Sequence, residues 1–149
     1  LSVVAQRSQK TIAVSFHPDS PKVKADSDLI GRVINNLVSN SVKHTPKGAR
    51  IEVAVKPAAL VPGAPTDCSL VIAVSDNGEG IPREYHEKIF EKFGTVEGRK
   101  TGAPKMSTGL GLTFCKMAVE AHGGRVWLES ELGHGATFWV ALPPQPPAS

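Results

Sequence analysis

Leu70-Val71-Ile72-Ala73-Val74 runs straight into Ser75-Asp76-Asn77-Gly78-Glu79-Gly80-Ile81-Pro82, and this junction decides the fold. The first five residues are apolar and mostly β-branched, the pattern of a buried strand, and the next eight are turn-forming. The junction therefore delivers one carboxylate, Asp76, from the end of a buried strand into a glycine loop. A carboxylate there is costly to desolvate unless donors meet it, and Gly78 and Gly80 remove side chains that would hold a ligand away. Asp76 is thus a candidate for gripping an amino group. Asp-Asn-Gly is also ordinary turn chemistry, so the octapeptide alone fits a plain Asx turn equally well.

Upstream of the junction, Leu29, Ile30, Val33, Ile34, Leu37, Val38 and Val42 recur at helical spacing. They predict a helix over 28–44, capped by Asp26 or Ser27, with one broad core-facing side. Asn36, Asn40 and Lys43 fall at i, i+4 and i+7 and share one edge of that apolar stripe. Asparagine is a poor helix former, and helix packing does not ask for two of them one turn apart beside a lysine. The strip reads as the wall of a cleft. Thr45-Pro46-Lys47-Gly48 ends the helix, and residues 50–56 alternate as a strand with one wet face. Before the helix, residues 11–16 read as a half-buried strand and 22–25 as a second short one.

Downstream, residues 83–93 suggest a short helix that buries Ile89, Phe90 and Phe93. Residues 94–108 hold three glycines, three basic residues and almost nothing apolar, which reads as a lid or binding loop. Gly109-Leu110-Gly111-Leu112 then opens a helix whose apolar face is expected to be Leu110, Phe114, Met117, Ala118 and Ala121, with Gly123-Gly124 as its stop. Glycines at a helix start leave the first N–H groups open, and the dipole there favours an anion. A phosphate site is the reading. Residues 125–130 and 137–142 close the sheet as a hairpin through Gly133-His134-Gly135.

With 149 residues, 40% hydrophobic, the chain fits one well-filled core. Its charge of +3 and 5% aromatic content do not suggest a nucleic-acid binder. Cys68 and Cys115 match no metal or disulfide spacing, which suits a reducing compartment. No apolar run is long enough to span a bilayer, so no membrane contact is expected of this chain. The start at Leu1 and the Pro-rich end suggest a piece of a longer protein. Residues 1–10 then read as the end of a linker helix, 11–142 as the domain and 143–149 as a tail.

Taken together, Asn36-x-x-x-Asn40, Asp76-x-Gly78-x-Gly80, Phe90 with Phe93, Gly109-x-Gly111 and Gly135-Ala136-Thr137-Phe138 resemble, in order, the N, G1, F, G2 and C-terminal motifs of histidine kinases. The chain is similar to their catalytic and ATP-binding domain, of the GHKL or Bergerat fold shared with gyrase, Hsp90 and MutL ATPases. The likeness runs from about Thr11 to Leu142. It implies an α/β two-layer sandwich, a mixed β-sheet packed on one side by helices, with ATP bound between the helices under a lid.

By that resemblance Asp76 accepts a hydrogen bond from the adenine amino group, with Gly78, Gly80 and Ile81 around the base and Thr137 hydrogen-bonded about Asp76. Asn40 offers its amide oxygen to Mg²⁺, a hard cation that takes oxygen donors, and Asn36 supports the same region. Lys43 meets the phosphates, as do Arg99 and Lys105 from the lid and Thr108, Gly109, Leu110, Gly111 and Leu112 at the helix start. His44 stands where the family often has a tyrosine or phenylalanine. ATP-hydrolysing relatives carry a glutamate as general base at position 36, and Asn36 cannot take a proton at neutral pH, so hydrolysis is expected to be slow. The implied partners are an upstream dimerisation domain that carries the acceptor histidine and a response-regulator receiver domain, in a homodimeric, cytoplasmically active parent. An anti-sigma-type serine kinase and a degenerate, non-catalytic binding module are the alternatives.

Overall fold

In the computed structural model, residues 10–91 and 110–145 are described, Leu110 by its backbone alone. The elements are β1 (Thr11–Phe16), α1 (Ser27–Lys43), β2 (Arg50–Pro57), β3 (Leu70–Asp76), α2 (Leu110–Ala121), β4 (Arg125–Ser130) and β5 (Ala136–Leu142). They form a mixed five-stranded sheet in the order β1-β2-β3-β5-β4, in which β1 runs parallel to β2 and every other neighbour is antiparallel. This is the α/β two-layer arrangement expected from the sequence.

β3 lies at the centre, and Leu70 to Val74 are all buried, as an unbroken apolar run requires. One sheet face meets α1 and α2 across a core that includes Val33, Leu37, Val38, Ile51, Val74, Leu112, Val119, Phe138 and Val140. Each such side chain stabilises by roughly 1.5–3 kcal/mol through burial, several times any helix-propensity term, so the core fixes where α1 sits. The other face is partly covered near its 57–69 end, where Ala58, Val61 and Cys68 pack on Val71 and Ala141. Asp26 caps α1, its carboxylate accepting from Asp28 N (3.0 Å) and Leu29 N (3.1 Å).

α1 and α2 run antiparallel, and side-chain hydrogen bonds join them near both ends of α2. Asn36 Nδ2 donates to Gly111 O at 3.4 Å near the start of α2. Just past its end, buried His122 donates from Nδ1 to Ala118 O (2.7 Å) and accepts at Nε2 from Asp26 N (3.0 Å). A backbone N–H can only donate, so the ring is the neutral Nδ1–H tautomer.

Several local expectations need correction. Residues 22–25 form no strand; the segment is irregular, held by Lys24 N donating to Pro144 O. Residues 83–93 are not one helix: two 3₁₀ turns, Arg83–Tyr85 and Lys88–Phe90, are described there, and Pro82 sets the extended entry to the first. Ile89 and Phe90 are nonetheless buried, while Phe93 lies outside the described residues. In α2 the buried positions are Leu112, Cys115, Ala118 and Val119, whereas Met117 is 67% exposed and Ala121 is exposed as well. β1 is an edge strand, and only Ile12 packs on the core, leaving Val14 and Phe16 exposed. The linker helix read over residues 1–10 falls, up to residue 9, outside the described residues.

Candidate functional site

The last residue of β3 opens into a cavity of about 170 Å³ lined by Asn40, Ser41, His44, Asp76, Glu79, Gly80, Ile81, Pro82, Ala136 and Phe138. α1 supplies one wall and the loop after β3 the other. Phe138 forms the apolar floor, with Phe90 edge-on beneath it at 6.0 Å between ring centroids.

Asp76 faces the cavity because it continues the β3 alternation that buries Ile72 and Val74 on the helix side. Burial raises its carboxyl pKa above the ordinary value, against the opposing pull of the Gly78 and Ala136 backbone N–H groups. Gly78 N donates to Oδ1 at 2.9 Å. The buried carboxylate therefore keeps acceptor capacity toward the cavity, the position an amino donor would fill.

The loop around it is braced from the β4–β5 hairpin. Ser130 Oγ accepts from Ile81 N (2.7 Å) and donates to Gly135 O (2.8 Å), and Gly133 N donates to Glu79 O (2.8 Å). Gly80 has φ +83°, and a Cβ there would lie 2.5 Å from Glu131 O; at Gly135, with φ +81°, it would lie 2.0 Å from Asp76 O. These two glycines are needed by the protein's own packing before any ligand is considered.

On the helix wall Asn40 is only 3% exposed, and its Oδ1 is buried without a hydrogen-bond partner among the described residues. An orphaned amide oxygen aimed at a polar cavity is costly, and a hard cation is a fitting partner for it. Ser41 Oγ, also buried, faces Asp76 without meeting ordinary hydrogen-bond geometry. Asn36, half-buried, is turned toward the first turn of α2, and Lys43 is exposed at the end of α1, outside the cavity lining. His44 lines the cavity, and its pKa is pushed down to about 4 by burial and then by the Lys43 and Lys10 cations. At neutral pH it is an uncharged ring.

Thr137 departs from expectation. Its Oγ1 donates to Ser75 Oγ at 3.2 Å, one register position from the Asp76–Ala136 pair and so on the opposite sheet face. It does not hydrogen-bond about Asp76; Ala136 takes that place in the cavity. Gly78 serves through its N–H, while Gly80 and Ile81 are lining residues. Gly111 and Leu112 lie in the first turn of α2, Leu112 being buried in the core. Arg99, Lys105, Thr108 and Gly109 lie outside the described residues, as does the side chain of Leu110.

Sequence reasoning missed Ser41, Ser130 and Lys10. Lys10 Nζ donates to Val42 O and to Thr45 O, the latter at 2.6 Å. Ser130 carries a faint signal, since a serine ending a strand opposite a glycine turn often bonds backbone. Lys10 carries none.

Residues 25–146 match the family model described as "Histidine kinase-, DNA gyrase B-, and HSP90-like ATPase". The chain is 38% identical over 133 residues to the alginate biosynthesis sensor protein KinB of Pseudomonas aeruginosa, covering 89% of this chain and 20% of that protein. Among solved structures it is similar to the nucleotide-free catalytic domain of the histidine kinase ThkA, with TM-score 0.75, 26% identity, and coverage of 97% of this chain and 87% of that one. It is also similar to full-length ShkA in complex with AMPPNP, with TM-score 0.77, 26% identity, and coverage of 99% and 28%. The chain thus spans about a fifth of KinB.

Proposed function

The chain belongs to the histidine kinase-, DNA gyrase B- and HSP90-like ATPase family, and on that premise we propose that it is the ATP-binding catalytic domain of a sensor histidine kinase. It binds Mg-ATP and donates the γ-phosphoryl group to a histidine on a separate dimerisation domain. The observation that carries this reading is the pairing, in one cavity, of a strand-end carboxylate with a buried, unpartnered amide oxygen: Asp76 and Asn40.

Asp76 accepts from the adenine amino group, and losing such a buried pairing costs about 1–3 kcal/mol. His44 offers the base a neutral ring, and Ile81 and Phe138 an apolar surface. Asn40 is the protein ligand we assign to Mg²⁺, which when bound would neutralise charge on the phosphates. Lys43 meets the phosphates, and Asn36 holds the first turn of α2, whose open N–H groups favour the same anion. Arg99, Lys105, Thr108, Gly109 and Leu110 are assigned to the phosphates by the resemblance alone.

An amide at position 36 cannot serve as the general base that a glutamate there would supply, so the domain holds ATP for a histidine acceptor and hydrolyses it slowly. A neutral imidazole brings its own lone pair and needs no such base. Within the domain, His122 and His86 are committed to backbone partners, and His17 accepts from Asp19 N. His44 lines the cavity and His134 lies in the β4–β5 turn, so none of the five histidines stands on a helix as an acceptor would. The partners are therefore an upstream dimerisation domain and a response-regulator receiver domain, in a homodimeric parent that works in the cytoplasm. Among the described residues no helix is long and apolar enough to cross a membrane.

The test is transfer in trans. Labelled ATP incubated with this chain and a histidine-bearing helical hairpin domain should put ³²P on the hairpin and none on the chain alone. Stable label on the isolated chain would contradict the assignment.

A further inference from the structure

Lys10 precedes β1 by one residue and lies fifteen residues before the family match begins, yet its ammonium group sits at the end of α1. It donates to Val42 O, one of the carbonyls that a helix end leaves without intrahelical partners, and to Thr45 O just past the cap. A cation there also complements the negative end of the helix dipole. The turn it holds is the one that carries the site, since Asn40, Ser41 and His44 all line the cavity. Thr45 is fastened to the same turn, its Oγ1 donating to Ser41 O at 2.7 Å.

We propose, resting on the nucleotide reading above, that Lys10 is a positioning residue for the nucleotide base. It clasps the C-terminal turn of α1 to the head of β1 and so sets the spacing between Asn40 and His44 on one wall and Asp76 on the other. The sheet register supports this. Thr11 pairs with Arg50 and Ile51 with Asp76, so β1, β2 and the Asp76 end of β3 are adjacent at this level, and Thr11 N donates to Ala49 O (3.1 Å). Helix end and strand end are thereby referenced to one point.

The electrostatics agree with the geometry. The Lys10 ammonium group stabilises the Asp76 carboxylate and disfavours a charged His44, while its own pKa is lowered chiefly by burial. One cation thus favours the protonation states that adenine recognition requires, an ionised acceptor and a neutral ring.

Three variants of the whole chain test the proposal: Lys10→Met removes donors and charge, Lys10→Gln keeps a donor only, and Lys10→Arg keeps both. Mg-ATP affinity is read by calorimetry and the amide shifts of residues 40–45 by NMR, on variants with dispersed amide spectra. The Met variant should bind about tenfold more weakly, the loss expected for one charge-assisted bond, and Arg should recover most of it. The shifts of that turn should move in Met and Gln and return in Arg. Wild-type affinity in the Met variant with an unmoved turn would overturn the proposal. If the wild type bound no Mg-ATP, the nucleotide reading would fall, and the shifts would still decide whether Lys10 holds this turn.

Discussion

The two ends of the cavity are built differently. At the Asp76 end the protein supplies its own partners: Gly78 and Ala136 donate backbone N–H groups, Ser130 ties the loop to the hairpin, and Gly80 and Gly135 admit no Cβ. At the Asn40 end the buried amide oxygen of Asn40 has no hydrogen-bond partner among the described residues, and Lys43 stands in solvent. On the nucleotide reading proposed above, the base end is finished before a ligand arrives, whereas the metal and phosphate end is finished by the ligand. Selectivity for the base should therefore be a property of the folded chain, and metal affinity a property of the complex.

The largest effect that would break this contrast is Gly135→Ala. With φ +81° and a Cβ 2.0 Å from Asp76 O, the variant must shift β3 against β5, and a loss of about 3 kcal/mol or more is expected in chemical denaturation. A variant as stable as the wild type would mean that the hairpin does not brace the base end.

Next is Asp76→Ala. ATP affinity should fall roughly 10–100-fold, while the stability of the ligand-free chain should hold or rise, because the carboxylate is held at a cost by burial. The sign follows from its raised pKa. The folded state holds that proton more tightly than the unfolded chain, so the Asp76 contribution is greatest below the ordinary carboxylate range and is lost as pH rises through the folded pKa. Denaturation melts of wild type and variant across the acid range check this.

Asn40→Ala sharpens the other half of the contrast. Calorimetry should show the Mg²⁺ dependence of ATP binding lost, with stability changed by less than about 1 kcal/mol, since an unpartnered buried amide contributes little to the ligand-free fold. A large loss of stability would mean that the amide is structural.

The smallest effect is at His44. Its folded pKa of about 4 lies below the ordinary value of 6.5, so its contribution is fully present above pH 6.5 and is lost as pH falls toward 4. Discounted for solvent screening of a half-buried group, this is on the order of 1 kcal/mol. His44→Phe should flatten the stability profile in that window and keep ATP affinity within about threefold.

The sequence was most legible where one periodicity ruled alone. α1 shows seven apolar residues at helical spacing, and its core face follows from them, whereas of the polar edge Asn36, Asn40 and Lys43 only Asn40 lines the cavity. The unbroken run before Asp76 marked the central strand in the same way. α2 misled because it is apolar on more than one side: Leu112, Cys115 and Val119 offer a stripe as plausible as Phe114 and Met117, and only the sheet beneath decides between them. Phe114 does pack, partly buried, against the core, and it also lies under the Arg32 guanidinium, 4.5 Å from the ring centroid. Thr137 was misplaced for a simpler reason, since a strand's alternation is known only once its register against β3 is fixed. Lys10 and Ser130 act through backbone atoms distant in sequence, which no local pattern records.

The central claim is that the finished end of the cavity reads adenine through Asp76, and the most direct measurement is calorimetric titration of the wild-type chain with Mg-ATP and Mg-GTP side by side. Guanine presents a carbonyl oxygen where adenine presents its amino group, so Asp76 would face an acceptor with no proton between them. The account predicts that ATP binds and that GTP binds at least about 100-fold more weakly. Equal affinity for the two nucleotides would contradict it.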